Sequence, residues 1–269
     1  LRDGLTFILN HKNFTAEVKI NDEFHDLYIP SSILFNSTDY IVTKIGQNML
    51  NRFNKTRNLI FADDIKIKCI DLSESDIGNL NSILIPSNVD TLIINSRFHP
   101  DEIKISPNND HFVWEGSLLI GKSNPQNDQF DMLIYARKDI TEVLIPSHIK
   151  IINSYCFCEC KSLSKVEFSP DSELHSIRSY AFNHVQISNI SIPKNVINIE
   201  MHSFEGCKLK TINFSENSQL RYIGYKAFSG TPIEEITIPK HVILISEYSF
   251  FRCRSLQIVN FPYDSEIQS

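Results

Sequence analysis

A unit of 22–24 residues recurs along the second half of the chain, and no other feature restricts the fold as strongly. Each unit begins with an apolar residue, at Ile140, Leu163, Ile187, Leu209, Ile233 and Leu256. The steps between these starts are 23, 24, 22, 24 and 23 residues. A fixed period of this size is the signature of a solenoid, in which every turn packs only on its neighbours.

Each unit opens with the pattern LxxLxL, as in Leu209, Ile212 and Phe214. This alternation predicts a short strand with one buried face, and stacked units would pair such strands into a parallel sheet. In one set of units, which we call Pro-type, a Pro directly follows the strand: Pro146, Pro193 and Pro239. In the other set, which we call Ser-type, a Ser occurs a few residues later: Ser172, Ser218 and Ser265. The sets alternate strictly, so the true repeat is a pair of units.

The period and the strand pattern together predict a leucine-rich repeat solenoid that is mainly β. We expect a curved parallel sheet on the concave side and short turns or 3-10 segments on the convex side. We further expect one domain over residues 1–269.

A small residue followed by Phe recurs late in each unit. The pairs are Cys156-Phe157, Ala181-Phe182, Ser203-Phe204, Ala227-Phe228 and Ser249-Phe250. A Phe at one place in every turn should stack on the Phe above and below it. We interpret these residues as a core spine rather than as a functional aromatic box.

The ninth position of the Pro-type units holds Asn or His: Asn88, His148, Asn195 and His241. In leucine-rich repeats, an Asn in this slot bonds to the backbone of the adjacent turn and satisfies groups that a tight bend leaves unpaired. We therefore interpret His148 and His241 as members of this ladder, not as metal ligands or catalytic bases.

The first 26 residues do not follow the repeat. Apolar residues alternate on both sides of the turn His11-Lys12-Asn13, which predicts a β-hairpin that caps the solenoid. Degenerate repeats follow over residues 27–105, with strands predicted at Leu27 and Ile29, Leu59 and Phe61, Ile83 and Ile85, and Ile103 and Ile105. Asn36-Ser37-Thr38-Asp39 is interpreted as a turn-like insertion.

Residues 106–139 interrupt the period and predict an inserted β-hairpin around Glu115-Gly116 that projects from the array. This segment carries the single tryptophan, Trp114. A Trp in a hairpin commonly packs on it, but insertions also map to binding faces, so both alternatives stay open. Residues 140–269 hold the regular repeats, and the last of them is truncated.

Three cysteines at alternate positions, Cys156, Cys158 and Cys160, have no second ligand pair of the kind that zinc sites use. Cys160 instead shares its slot with Cys207 and Cys253. Successive members of this slot lie two strand spacings apart, roughly 10 Å, which exceeds the reach of a disulfide. We therefore predict buried, reduced thiols, with no metal, no cofactor and no catalytic residues.

The pattern L-x-x-I-x-I-P-x-x-V-x-x-I-x-x-x-x-F-x-x-C, its alternation with F-x-x-x-S-x-L, and the inserted WEGSLLIG segment resemble the BspA-like leucine-rich repeat family. The resemblance covers nearly the whole chain and is strongest after residue 140. It departs from the pattern where Met49-Leu50 replaces Ala-Phe. It implies a surface-associated or secreted adhesion protein with a repeat solenoid as ectodomain.

A net charge of −6 without a basic stripe argues against nucleic-acid binding. No apolar run approaches the roughly 20 residues of a membrane span. We expect a non-enzymatic adhesion module at the cell surface or outside the cell, which binds a host or extracellular macromolecule. The alternative is an intracellular, cytoplasmic scaffold or regulatory subunit, which free thiols would fit.

The candidate partner-binding residues are strand positions expected to point out of the concave sheet, together with the tryptophan of the insertion: Glu142, Leu144, Lys165, Glu167, Ser191, Thr211, Asn213, Glu235, Thr237 and Trp114. Acceptor sequences for N-glycosylation occur at Asn13, Asn36, Asn54, Asn189 and Asn213. Glycans on Asn189 and Asn213 would block the concave face, so glycosylation and binding compete there.

Overall fold

The computed structural model describes residues 5–20, 25–45, 56–75 and 78–268. Met49, Leu50 and Asn54 lie outside these ranges. Throughout the described ranges the regular secondary structure is β-strand, and none of it is a helix that could span a membrane. The chain divides into two compact units, Leu1–Val113 and Trp114–Ser269. Each unit is a stack of β-solenoid turns.

The predicted N-terminal hairpin is confirmed. Strands β1 (Leu5–Asn10) and β2 (Thr15–Ile20) pair antiparallel, with Leu9 opposite Ala16 and Phe7 opposite Val18. A second hairpin, β4 (Ser32–Phe35) and β5 (Thr38–Ile45), extends the cap to four strands in the order β1-β2-β5-β4. The turn predicted at Asn36-Ser37 is confirmed, but Thr38 and Asp39 belong to β5, so the segment is a hairpin turn and not an insertion.

The four strands predicted for residues 27–105 are confirmed. They are β3 (Asp26–Ile29), β6 (Asn58–Phe61), β8 (Ser82–Ile85) and β10 (Glu102–Ile105), and they form one parallel sheet. Their alternate apolar residues, such as Leu59 and Ile83, are buried, with the exception of Ile105, which is half-buried. The strands β7 (Cys69–Asp71) and β9 (Thr91–Ile93) make a second, shorter parallel pair.

The inserted segment is part of the core and does not project from the array, contrary to expectation. Strand β11 (Phe112–Glu115) leads through the turn at Gly116 into β12 (Leu118–Gly121), which pairs antiparallel with β13 (Met132–Ala136). Leu119 and Ile120 are completely buried. Strand β13 also pairs in parallel with β15 (Ile151–Ile152), so the segment forms the first layer of the second unit.

The strands that open the regular units form three separate pairs, not the continuous sheet that the repeat predicts. Each pair is parallel: β14 (Glu142–Ile145) with β16 (Lys165–Phe168), β18 (Asn189–Ile192) with β20 (Thr211–Phe214), and β22 (Glu235–Thr237) with β24 (Ile258–Asn260). We call these six the front strands. Each pair begins with a Pro-type unit and ends with a Ser-type unit.

The proline explains where pairing stops. After β16, the N–H of Ser169 donates to the carbonyl of Ile145 at 3.1 Å and closes the first pair. The residue at the same place after β18 and β22 is Pro193 or Pro239, which has no N–H to donate to the turn before it. The first unit follows the same rule, because Pro86 comes directly after β8, and β8 pairs with β6 at only two positions.

A second, continuous ladder holds the turns together where the front strands do not. It consists of β15, β17 (Ser176–Ile177), β19 (Asn198–Ile199), β21 (Tyr222–Ile223) and β23 (Leu244–Ile245), all parallel and two residues long. Its inward residues Ile152, Ile177, Ile199 and Ile223 are completely buried. The return segments are successive turns, and no 3-10 helix occurs among the described residues.

The phenylalanine spine is confirmed. Phe157, Phe182, Phe204, Phe228 and Phe250 stack in sequence, with centroids 4.9, 5.1, 5.4 and 5.6 Å apart and planes within 11° of parallel. The first four side chains are completely buried. This separation equals the rise from one turn to the next, so the rings transmit the register of the solenoid through its core.

A second aromatic row escaped the sequence analysis. Tyr155, Tyr180 and His202 stand two residues before a spine Phe and stack with centroids 4.9 and 4.5 Å apart. All three have positive φ, between 55° and 62°, a conformation that non-glycine residues seldom adopt. The row is half-buried, and burial is the largest cause that raises the pKa of Tyr155 and Tyr180.

The ladder expected at position nine is present at Asn195 but not at Asn88, whose Nδ2 donates to Ser87 Oγ in its own turn at 3.3 Å. Asn195 donates from Nδ2 to the carbonyl of Ser172 in the preceding turn at 2.9 Å. The two histidines instead face carboxylates: His241 Nδ1 lies 2.7 Å from Glu266 Oε1, and His148 Nε2 lies 3.7 Å from Glu115 Oε1. The interpretation of the histidines as backbone ladder members was wrong, because an imidazole cannot reproduce the paired donor and acceptor of the amide.

Candidate interaction surface

The outward side of the front strands is an ordered surface that the repeat creates in the second unit. It contains the third and fifth residues of each unit, which we call the front face: Glu142, Lys165, Asn189, Thr211, Glu235 and Ile258 in one row, and Leu144, Glu167, Ser191, Asn213, Thr237 and Asn260 in the other. All twelve side chains are exposed, while four of the six residues between them are buried, and these are Val166, Ile190, Ile212 and Ile236. The expected orientation is therefore confirmed.

Strand pairing sets neighbours across the face. Glu142 lies opposite Lys165 and Leu144 opposite Glu167 in the first pair. Ser191 lies opposite Asn213 in the second pair, and Thr237 opposite Asn260 in the third. The face thus presents two aligned rows, in which most side chains are short and polar.

Two clefts cross the front face at the gaps between strand pairs. The first, of about 560 Å³, lies between β16 and β18, and the second, of about 630 Å³, lies between β20 and β22. Residues 46 positions apart line them in the same order: Phe168, Pro193 and Lys194 in the first, and Phe214, Pro239 and Lys240 in the second. The clefts are therefore copies of one site, separated by two strand spacings, or roughly 10 Å.

Charges on the front face are largely paired with one another. Lys165 Nζ lies 3.0 Å from Glu167 Oε1, and the hydrogen bond to Glu167 raises the pKa of the lysine. Asn260 donates from Nδ2 to Glu235 Oε1 at 2.7 Å. Lys240 pairs with Asp264 at the edge of the second cleft. What remains are hydroxyl and amide groups, which can form hydrogen bonds with a partner but supply no activated nucleophile.

The two clefts differ in one charge. Lys240 is engaged by Asp264, whose pKa this contact lowers. Lys194, its equivalent in the first cleft, has no ion pair among the residues that the structure describes. The first cleft therefore offers a cation to a partner, and the second offers a neutralised pair.

Trp114 is half-buried and packs within the inserted layer. Its ring meets Tyr135 edge to face at 6.5 Å, and the guanidinium of Arg137 lies over it at 5.4 Å. It belongs to β11 and not to a front strand. These contacts favour the packing role that the sequence analysis left open beside a binding role.

Four of the six cysteines behave as buried apolar residues, whereas Cys69 is exposed and Cys253 is half-buried. All six are free, and Cys156, Cys158, Cys160 and Cys207 are at most 1% exposed. Cys207 Sγ donates to the carbonyl of Phe182 in the turn before it, at 2.9 Å. Burial raises the pKa of Cys158 and of Cys207 to about 12. In the described part of the chain, no group of three His, Cys, Asp or Glu side chains is placed to hold a metal ion.

The rows of the front face are predictable from the sequence, but the clefts are not. The rows follow from period-two alternation, which is visible in single units. The clefts depend on which strands pair, and the only sequence signal is the proline that alternates with Ser169 and Ser215 at the end of the strand.

Comparison with protein families gives one match. A family described as BspA type leucine rich repeat region matches residues 130–257 with six copies of its repeat. None of the curated proteins matches the chain.

Solved structures of leucine-rich repeat proteins are similar to the chain. A leucine-rich repeat protein from Eubacterium ventriosum is 16% identical, covers 96% of this chain and 82% of its own, and has a TM-score of 0.56, which supports the fold. The pneumococcal vaccine antigen PcpA is 14% identical over 100% of this chain and 87% of its own, with a TM-score of 0.47. A leucine rich cell surface protein from Faecalibacterium prausnitzii is 16% identical over 97% and 94%, with a TM-score of 0.40.

Proposed function

Because residues 130–257 of this chain form a BspA-type leucine-rich repeat region, we propose that the protein is a non-enzymatic interaction module that binds a macromolecular partner on its front face. The observation that carries this proposal is the pair of equivalent clefts between the strand pairs. An extended partner that crosses the strands meets the same group of side chains twice, so two weak contacts act together.

The chemistry of the front face supports binding without bond-making. Hydroxyl and amide groups such as Ser191, Thr211 and Asn213 are exposed on a backbone held in register by strand pairing. A rigid surface loses little conformational entropy when a partner binds, which favours recognition by hydrogen bonds. The partner is a protein or another macromolecule of the extracellular matrix or of a host cell surface.

The experiment begins with the full chain immobilised and screened against extracellular-matrix proteins and cell-surface glycans. For a partner found in this way, Thr211→Arg and Thr237→Arg should each raise Kd about tenfold, because each blocks the second cleft with a long side chain. Lys208→Glu, at an exposed position outside the front strands, is the control for altered charge. Charge reversals at Glu142, Lys165 and Glu235 test the rest of the face.

Trp114→Ala is the competing variant. Loss of binding with this change alone, with all front-face variants at the affinity of the unchanged protein, refutes the front face as the site and assigns binding to the inserted layer.

The family also supports a location at the cell surface or outside the cell. The alternative, an intracellular scaffold, is favoured by one observation, the six free thiols. Labelling of intact cells with a membrane-impermeant amine reagent distinguishes them. Labelled protein supports the surface location, and protein labelled only after cell lysis supports the scaffold.

A further inference from the structure

The four-stranded cap brings two acceptor sequences for N-glycosylation to the same end of one sheet. Asn13-Phe14-Thr15 lies in the turn between β1 and β2, and Asn36-Ser37-Thr38 lies in the turn between β4 and β5. Strands β2 and β5 are parallel, and each begins directly after one of these turns. Both acceptor asparagines therefore lie at the same end of the cap sheet, where β2 and β5 begin.

The contacts between the turns fix this arrangement. The N–H of Ile41 donates to the carbonyl of Phe14 at 3.0 Å, and Tyr40 OH lies 2.6 Å from His11 Nδ1. Because Thr15 is in register with Ile41, the Asn36 turn extends about three residues, or roughly 10 Å, beyond the Asn13 turn.

Both turns have a geometry that presents the amide to solvent. Asn13 and Asn36 are exposed, and Asn36 and Ser37 have φ of 47° and 62°, as a two-residue hairpin turn requires. In the first turn, Thr15 Oγ1 donates to Asn13 Oδ1 at 2.7 Å, which joins the hydroxyl and the amide of the acceptor sequence directly.

Five large apolar side chains of the cap are between 43% and 75% exposed: Ile8, Phe14, Leu34, Phe35 and Ile41. They are divided between the two faces of the cap sheet, because successive strand residues such as Leu34 and Phe35 point to opposite sides. Phe14 and Phe35 are adjacent in sequence to Asn13 and Asn36, so a group attached to either amide lies beside an exposed aromatic ring.

We propose that the cap is N-glycosylated at Asn13 and Asn36 and that the two oligosaccharides cover the exposed rings of Phe14 and Phe35. In the transfer, the amide nitrogen bonds to the anomeric carbon of a lipid-pyrophosphate-linked oligosaccharide. The bond from that carbon to the pyrophosphate oxygen breaks, the lipid pyrophosphate leaves, and a base takes one amide proton. The proposal rests on the extracellular location proposed above.

The acceptor sequences on the front face differ from those of the cap in their structural setting. Asn189 and Asn213 lie inside paired strands, β18 and β20, and both carry Ser instead of Thr at the third position. Asn189 Nδ2 donates to Ser188 Oγ at 3.2 Å and not to the hydroxyl of its own acceptor sequence. These two sites remain unmodified, which leaves the front face open to a partner.

The test is secretion of the full chain, with a cleavable signal, from a eukaryotic cell line, followed by site-by-site mass spectrometry of glycopeptides. A supplied signal makes the result independent of the natural location and of front-face binding. The expected result is occupancy at Asn13 and Asn36, with at most a tenth of that occupancy at Asn189 and Asn213. Thr15→Ala and Thr38→Ala should each abolish one glycan, whereas Thr15→Ser should retain it.

Removal of both cap glycans should increase the fluorescence of an apolar dye severalfold, and Ser191→Ala with Ser215→Ala, which removes the front-face acceptors, should not. Four results overturn the proposal. Three are an unmodified cap, front-face sites as occupied as the cap sites, and equal dye binding with and without cap glycans. The fourth is dimers of the unmodified chain that Phe35→Lys dissociates, because a second copy then covers the two rings.

Discussion

Cys207 shows how a single side chain serves the stack. It is completely buried, and its thiol donates to a carbonyl in the preceding turn, 25 residues earlier. Val185 fills the same slot one turn before it, so the slot accepts an apolar side chain of similar size. Cys253 repeats the thiol contact with the carbonyl of Phe228 at 3.1 Å.

The raised pKa of Cys207 predicts a loss of stability at alkaline pH. Burial raises this pKa from 9.0 to about 12 in the folded chain. As pH rises above the unfolded value, the unfolded thiol releases a proton that the folded thiol keeps, so the stabilisation present below that value is progressively lost. Urea unfolding at about pH 8 and about pH 10.5 measures this effect.

Cys207→Val is the matched variant, because it removes the titrating group and keeps a side chain that the slot accepts in another turn. The drop in the urea midpoint between the two pH values should be smaller in this variant. An equal drop in both proteins would show that Cys207 does not contribute.

At the scale of the element, the front strands depend on one backbone donor. The second residue of a Ser-type unit donates its N–H to the preceding turn, as Ser164 does to Thr141 at 2.9 Å and Lys210 to Ser188 at 2.8 Å. Ser188 and Glu234 occupy that position in the Pro-type units. In the described structure, neither amide has a backbone acceptor.

Hydrogen exchange should therefore alternate along the front strands. Amides of Ser188 and Glu234 should exchange faster than those of Ser164 and Lys210, because an amide without a protein acceptor exchanges without local opening. NMR-detected exchange resolves the individual residues. Uniform protection at all four positions would mean that the sheet is continuous and that the clefts close in solution.

A feature of the fold could be predicted from the sequence when it is formed within a single unit, and not when it depends on contacts between units. The strands and the Phe spine repeat in every unit, so alternation at Ile190 or a Phe such as Phe204 was sufficient. The strand pairs and clefts depend on hydrogen bonds between units, and a proline such as Pro193 shows its effect only once its neighbour is known. The same limit applies to the four-stranded cap: β5 pairs with β2 at separations of 26 and 27 residues, and no local pattern specifies that contact.

The position of the inserted layer was missed for a different reason. Residues between repeats are commonly surface insertions, but Leu118–Gly121 is buried along its whole length. A continuous apolar run signals burial on both faces, and that signal was present in the sequence.

At the scale of the whole molecule, stability is a sum over neighbouring turns. Phe204→Ala should cost about 3–5 kcal/mol, because it removes a completely buried ring from the middle of the spine. Loss of hydrogen-exchange protection should be greatest in the turns that carry Phe182 and Phe228, and the strands β3, β6 and β8 should retain theirs. Phe250→Ala is the control with a half-buried ring and should cost less.

Exchange that accelerates equally in every described segment after Phe204→Ala would contradict this account. It would show that the turns unfold as one cooperative unit, whatever their position.

The proline that ends alternate strands also restricts how a gene for such a protein can change in length. A duplication or deletion of 46 residues keeps every Pro-type unit next to a Ser-type unit, and adds or removes one whole cleft. A duplication or deletion of a single unit joins two units of the same type. Two adjacent Pro-type units lack the backbone N–H that closes a strand pair, and two adjacent Ser-type units alter the alternation of paired strands and clefts. We therefore expect the number of units in such proteins to change by two at a time. Relatives can then differ in the number of clefts while each cleft keeps the same lining.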